Sequence, residues 1–314
     1  MPTQCTDIVI RPEVSYQEEA LLMVAQHMPL GEDTVTLRGA EPWVSEGSAN
    51  AASKNYVEKI GPEVTLTVLS FPFQEHGVGG VLWPAAVVLA HHLAIRECPR
   101  WLQSTHAPDC DPHQSSSQQL PLVVELGCGS ACLGAMAAAA CGGARALATD
   151  LPETVRLARR TLARNTDPVS ARGGSVAVLP LPWGAPLPPR LQHERPALIL
   201  GADIIYRCEL HYSLLATLSA LCTVRGSGIR EDKNSSDSSS NDSSSSTNIS
   251  ISKEPTRVLL SFALRHPDKE ASFLEKAKSV HGFQWRVLDL ESLPVNAWSQ
   301  TNVRVIELIA PAEE

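Results

Sequence analysis

The sequence has no surplus of positive charge. Its 26 Lys and Arg face 34 Asp and Glu, a formal charge of −8, whereas a chain that grips nucleic acid ordinarily shows a basic face. Nucleic acid is therefore not the expected partner. Arg156, Arg159, Arg160 and Arg164 fall on one helical face, which reads more simply as a solvated surface than as a basic patch. No C-x-x-C pair occurs and no Cys/His cluster has zinc spacing, so no metal is expected. The eight cysteines read as reduced thiols of an intracellular protein. The first twenty residues have neither a basic n-region nor an apolar h-region, so they do not read as a signal peptide. No apolar run reaches ~18 residues, which leaves no expected membrane span. A cytoplasmic monomer is the expectation, with the nucleus as a second location. What the chain does have is apolar content, 43% of 314 residues, enough for one large domain or two small ones.

The most informative segment is VVELGCGSACLG, Val123 to Gly134, followed by ATD at Ala148 to Asp150. An apolar run ends in glycines and gives way to an alanine-rich stretch, which reads as strand, tight turn, helix. Gly127 and Gly129 let the backbone approach a ligand, having no Cβ. Asp150 closes the next apolar run about 20 residues on, where a carboxylate meets a ribose hydroxyl in nucleotide-binding α/β folds. A dinucleotide fingerprint needs a third glycine where Cys132 stands. Glu125, just before the turn, would repel a pyrophosphate and attract the ammonium of an amino acid. The turn thus favours S-adenosylmethionine over NAD, with a turn needed only for helix–strand packing as the plain alternative.

Strand–helix alternation follows: strand 121–126 and helix 131–141, strand 144–149 and helix 152–164, strand 175–179, strand 197–202 and helix 209–222, strand 256–263 and helix 268–280. Strands 284–290 and 302–309 close the chain with only a loop between them. Such alternation argues for a parallel sheet covered on both faces, with an antiparallel hairpin at its edge. The expected class is α/β, a Rossmann-like class I S-adenosylmethionine-dependent methyltransferase, with seven strands and an antiparallel last strand. Upstream, 64–71 reads as a strand and 79–94 as a buried helix with Pro84 in its first turn. Residues 1–63 are an extension of no assigned role, with a helix expected from Tyr16 to His27. The methyltransferase domain is placed at 64–311. Segments 104–119 and 226–254 bury too little to offset ordering and are expected to be disordered. Both join a helix to the next strand, on the edge away from ligand.

Further residues gather at strand ends. Pro182, Trp183 and Gly184 follow the third strand, where Trp183 is placed either to stack on an adenine or to anchor a loop. Asp203 and Tyr206 follow the fourth, and Arg265 the fifth. Taken in order, GGVLWPAA, VVELGCGSACLG, ATDLPE, LPWG and LILGADIIY resemble the methyltransferase 16 family of seven-strand protein-lysine methyltransferases. The resemblance spans roughly residues 64–311, insertions excepted. GADIIY and the LLATLSALC helix are similar to the branch acting on Hsp70-type chaperones; neighbouring branches act on other ATPase chaperones and on elongation factors.

The resemblance implies that Trp83 lies against the cofactor and that Gly127 and Gly129 form its turn. It further implies that Asp150 binds the ribose, Trp183 covers the adenine and Ala202 supplies backbone contact. Asp203 and Tyr206 match an Asp-x-x-Tyr motif at the lysine entrance. Ala131 stands where the family usually has a third glycine, and its methyl would crowd the methionine portion. Chemistry fits an amine acceptor: lysine, of pKa ~10.4, must lose its proton to attack a sulfonium methyl. Asp203 would receive the ammonium and Tyr206 would hydrogen-bond the amine; a helix N-cap and plain packing are the alternatives. No Asn/Asp-Pro-Pro-aromatic motif follows the fourth strand and no Pro-Cys dipeptide occurs, which argues against base methylation. The expected partner is a protein substrate, a chaperone or translation factor. A small-molecule methyltransferase, an NAD-linked oxidoreductase and a non-catalytic binding module are the competing readings.

Overall fold

The computed structural model describes residues 31–40, 60–104, 120–224, 255–290 and 302–311. The helix expected from Tyr16 to His27 and the disorder expected of the two insertions lie outside the described residues, Ser104 excepted.

Seven strands form one sheet: β3 (Leu122–Leu126), β4 (Arg145–Asp150), β5 (Ser175–Pro180), β6 (Leu198–Ala202), β7 (Arg257–Ala263), β8 (Gln284–Val287) and β9 (Val303–Ile309). Their spatial order is β5-β4-β3-β6-β7-β9-β8. The first five run parallel, and β9 is antiparallel to both β7 and β8. This is the α/β, Rossmann-like arrangement expected. One detail differs: the closing hairpin does not extend the edge in order, because the last strand inserts between β7 and β8. Central β3 is buried at every position, Glu125 included, as a strand covered on both faces is. The chain leaves β3 toward β4 on one side and returns to β6 on the other. That reversal opens a crevice at the C-terminal ends of β3 and β6, where such sheets bind ligands.

The covering helices are α1 (Pro84–His92), α2 (Leu133–Gly142), α3 (Pro152–Leu162), the short α4 (Thr166–Ser170), α5 (His211–Cys222) and α6 (Pro267–His281). The arginines on and just after α3 stay exposed, as a solvated helix surface would have them, and reach their neighbours along that surface. Arg159 donates to the Val178 carbonyl at 3.1 Å, Arg160 lies over Phe71 and Arg164 reaches Glu32. α1 continues through one widened turn, Leu93–Glu97, into Cys98–Ser104; Cys98 N–H donates five residues back to Leu93. Pro99 explains the widening, since its ring would clash with the carbonyl four residues earlier. The expectation of no membrane-length apolar run needs correction. Residues 73–102, mostly helical but extended at Trp83, hold an 18-residue window of mean hydropathy 1.7. Val88, Leu89 and Leu93 of this stretch are fully buried, as in the core helix of a globular fold, which passes the same length and composition test.

Two further strands, β1 (Gly31–Ala40) and β2 (Ile60–Ser70), pair antiparallel in a sheet of their own. The boundary expected at 63/64 therefore cuts through β2. Val35, Leu37, Leu66 and Val68 join the core cluster of α1 and α2, each burial contributing roughly 1.5–3 kcal/mol. Asn165 acts as a strand surrogate: its side chain accepts from Thr67 N–H and donates to the Thr67 carbonyl, both at 2.7 Å.

Candidate functional site

A cavity of about 590 Å³ opens at the crevice between the ends of β3 and β6. Trp83, Glu125, Gly127, Gly129, Asp150, Trp183, Ala202, Asp203 and Tyr206, all singled out from the sequence, line it together. The volume lies within the range of small-molecule and cofactor sites.

The cofactor end is built from backbone. Gly127 and Gly129 both have φ +60°. A Cβ on Gly127 would stand 2.7 Å from Ile204 Cγ2 and 3.1 Å from Trp183, so the glycine lets these two cavity-lining side chains pack directly on the turn. Asp150 Oδ2 accepts from Gly129 N–H at 2.8 Å and Oδ1 from Leu151 N–H at 2.7 Å. Burial raises its carboxyl, and those two amides pull it back down. The turn is also tied to the segment above it. Ser130 N–H donates to the Gly79 carbonyl at 2.6 Å, and its hydroxyl lies within donating distance of the Leu69 and Gly80 carbonyls. That link places Trp83, whose indole N–H donates to Val78 at 3.0 Å. The loop carrying Trp183 is held by Gly184 N–H donating to Thr217 Oγ1 of α5 at 2.8 Å.

Glu125 departs from its expected role. It is buried, and its two oxygens accept the N–H groups of Gly134 (3.1 Å) and Ala135 (2.8 Å) in the first turn of α2. The carboxylate satisfies orphan helix donors rather than waiting for an ammonium. Burial pushes its pKa up to about 7, against the lowering by the two amides. Ala131, the small residue at the family's third-glycine position, is buried against the cavity wall.

The acceptor end is built from side chains. Asp203 has φ +53°, a left-handed conformation that costs a residue with a Cβ roughly 1–2 kcal/mol. It caps no helix; the residue before α5 is Leu210. Its N–H extends the ladder to Ser261 (2.7 Å), Oδ1 accepts from Ala263 N–H (3.1 Å) and Oδ2 accepts from Arg265 Nη2 (2.7 Å). Burial raises the Asp203 carboxyl, and Arg265 works against that. The segment after it is pinned: His211 Nε2 donates to the Ile205 carbonyl (3.0 Å), and Lys269 Nζ to that of Tyr206 (2.8 Å). Tyr206 is half-buried, and burial raises its phenol.

Arg265 is the functional residue that sequence reasoning noted and left without a role. Besides pairing with Asp203, its guanidinium lies 5.0 Å from the Trp83 ring centroid and lines the cavity. Its position just past a strand end was the available signal; its partner, 62 residues away, was not visible.

The profile of the lysine methyltransferase family, methyltransferase 16, matches residues 66–242, more than half of the chain. Among solved structures, the chain is similar to a predicted O-methyltransferase from Agrobacterium tumefaciens. That match has 15% identity and a TM-score of 0.40, covering 73% of this chain and 82% of that one. It is also similar to the O-methyltransferase NcsB1 of neocarzinostatin biosynthesis, at 15% identity and TM-score 0.38, covering 72% and 56%. A third is human N-acetylserotonin methyltransferase, at 13% identity and TM-score 0.36, covering 61% and 48%. The chain spans about half the length of the last two.

Proposed function

The chain belongs to the lysine methyltransferase family, and from that premise we propose that it transfers methyl groups from S-adenosylmethionine to a lysine side chain of a protein substrate. The observation that carries this reading is the joining of two ends in one cavity: a glycine cradle with Asp150, and the Asp203/Tyr206 pair facing the same space. The cradle fits the cofactor. Its glycines take the left-handed backbone that lets the turn line the cavity, and Asp150, at the end of β4, lines the same cavity with lone pairs left for a ribose diol. Trp183, packed on Gly127, and Trp83, beneath Arg265, supply flat apolar walls of the same cavity.

S-adenosylmethionine supplies an electrophilic methyl on a sulfonium. The residues of the chain handle the amine. Asp203 offers its remaining lone pairs to a lysine N–H, and Tyr206 offers a phenol that both orients nitrogen and excludes water. The ammonium gives one proton to water. The neutral nitrogen held by Asp203 and Tyr206 would then be free to take the methyl that bound S-adenosylmethionine would supply, the C–S electron pair leaving with sulfur. Holding nitrogen in line with the methyl is worth up to ~7–11 kcal/mol in favourable cases.

Purified protein, tritiated S-adenosylmethionine and a cell extract test the reading. Label should enter one folded polypeptide, with an ATPase chaperone or elongation factor the first candidates, and appear as methyllysine after acid hydrolysis. Label on a nucleic-acid base or a small metabolite would overturn it.

A further inference from the structure

Two cations line the acceptor end, Arg207 and Arg265. Arg207 pairs with Glu209, where both partners are about half exposed, and its charge acts on the Tyr206 phenol. Arg265 points inward. It is 26% exposed, bonds a carboxylate that is 9% exposed and covers the Trp83 indole. We infer that Arg265 is a positioning residue for the transfer: paired to Asp203, it keeps the acceptor end free of net negative charge, so that the site holds a lysine as neutral amine rather than as ammonium. This rests on the lysine reading above.

A lone buried carboxylate beside a lysine would be the wrong device. It would favour the ammonium, which has no lone pair and cannot attack. With Arg265 in place, the charges of Asp203 and the guanidinium cancel. A carboxylate has about four lone-pair sites, and Ala263 N–H and Arg265 take two. Asp203 therefore still accepts a hydrogen bond from an amine while its charge is already answered. The other charged groups do not replace this arrangement. Glu125 and Asp150 lie at the cofactor end with their oxygens on backbone amides. Glu153 and His76 line the cavity from α3 and from the segment before α1. Lys269 and His266, at the start of α6, lie on the same side as Arg265, and Tyr206 is uncharged. The local field is positive there: after burial, Lys269 and Arg265 both act to lower the pKa of His266.

Two measurements test the inference. In the first, methyllysine formation by wild type, Arg265→Gln and Arg265→Lys is followed from pH 6.5 to 10, using extract protein as acceptor. Losing a charge within reach of the amine should move the Gln profile about one pH unit or more to the alkaline side. Holding the amine neutral requires the wild-type site to bring its titration down to about pH 8, so the shift is a tenfold loss near pH 7 that shrinks to about twofold at pH 9 and is recovered by pH 10, with Lys following wild type. A loss equal at every pH, or a Lys profile displaced as far as Gln, overturns the inference. The second needs no acceptor. Calorimetry compares S-adenosylmethionine with S-adenosylhomocysteine, which lacks the sulfonium charge. Arg265→Gln should shift preference toward the cationic ligand by about fivefold, and Arg265→Lys should not. An unchanged ratio in Gln overturns the inference. Arg265→Met, which keeps the stem against Trp83, serves should Gln disturb the fold. Wild type that makes no methyllysine defeats the lysine reading alone, because the ligand ratio still judges the charge of Arg265.

Discussion

The two ends of the cavity satisfy their buried acids in opposite ways. At the cofactor end, Glu125 and Asp150 take backbone N–H groups that lie between one and 21 residues away along the chain. At the acceptor end, Asp203 takes a backbone amide and a guanidinium brought from 60 and 62 residues away. Backbone donors are fixed by the turn that presents them and carry no net charge, so the first end is a rigid cradle. A side-chain cation can be exchanged for another, or made to share its carboxylate with one. The difference assigns binding to one end and charge control to the other.

The sharpest way to break that division is Asp203→Ala. It should cut methyl transfer about a thousandfold, some 4 kcal/mol of barrier, while the cofactor dissociation constant moves less than about threefold. Removing the partner of Arg265 should also cost some stability, moderated because the guanidinium keeps partial access to water. Labelled transfer and calorimetry on the same preparation check both halves. An active Asp203→Ala enzyme, or one that has lost the cofactor, would erase the distinction between the ends.

The same contrast explains what was legible in the sequence. The strand–turn–helix around Gly127 and the carboxylate at Asp150 could be read because their partners are local and the glycines advertise the turn. The alternation from β3 to β7 could be read because both faces of a parallel sheet must be apolar. Glu125 was located but misassigned: nothing local shows that its oxygens turn back onto α2 rather than outward. The Asp203–Arg265 pair was illegible because no spacing rule links residues on neighbouring strands of a parallel sheet. β1 was missed although Val35 and Leu37 alternate with Thr34 and Thr36. Its partner lies beyond 19 further residues, with no tight turn to announce a hairpin. The helix read at 79–94 starts later, at Pro84, and its continuation to Ser104 was missed because charged residues interrupt the apolar run without ending the helix.

A smaller effect is expected from Asp150→Ala. It removes a charged acceptor from the cofactor, worth ~1.5–3 kcal/mol, so affinity should fall about 10–100-fold. Turnover at saturating cofactor should return to within a few-fold of wild type, because the acceptor end is untouched. If saturation fails to restore it, the ends are coupled and the division is too simple.

Smaller again is Glu125→Gln, read through pH. Burial raises this carboxyl from 4.5 to about 7 in the folded chain, so the fold binds its proton more tightly than the unfolded chain does. That contribution is whole below about pH 4.5 and is lost as pH rises through 7. Gln copies the protonated form and does not titrate. The melting temperature of the variant relative to wild type should therefore climb between pH 4.5 and 7, then level. A gain of 1 kcal/mol shifts the midpoint by about 2–4 °C in a domain of this size. Gln offers one acceptor to two amides, which adds a constant offset and no slope. A flat difference would show that the carboxyl ionises as freely in the fold as outside it.

The smallest effect is expected from deleting Ser227 to Ser252. α5 ends at Cys222 and β7 begins at Arg257, so this segment connects a helix to the N-terminal end of a strand. Thr256 Oγ1 and Arg257 N–H, on its far side, bond the Pro196 and Ala197 carbonyls just before β6. Both ends of the cavity sit at the opposite, C-terminal edge of the sheet, after β3, β4, β6 and β7. The deletion leaves eight residues between Cys222 and Arg257, long enough for a helix-to-strand joint, which in such folds needs about 2–6. Cofactor affinity and turnover should each stay within about twofold of the full chain, with melting unchanged. Lost affinity with intact turnover would place the segment at the cradle, and the reverse would place it at Asp203. Either result, with the melting temperature preserved, would mean the sheet edge does not separate this segment from the chemistry as its connections require.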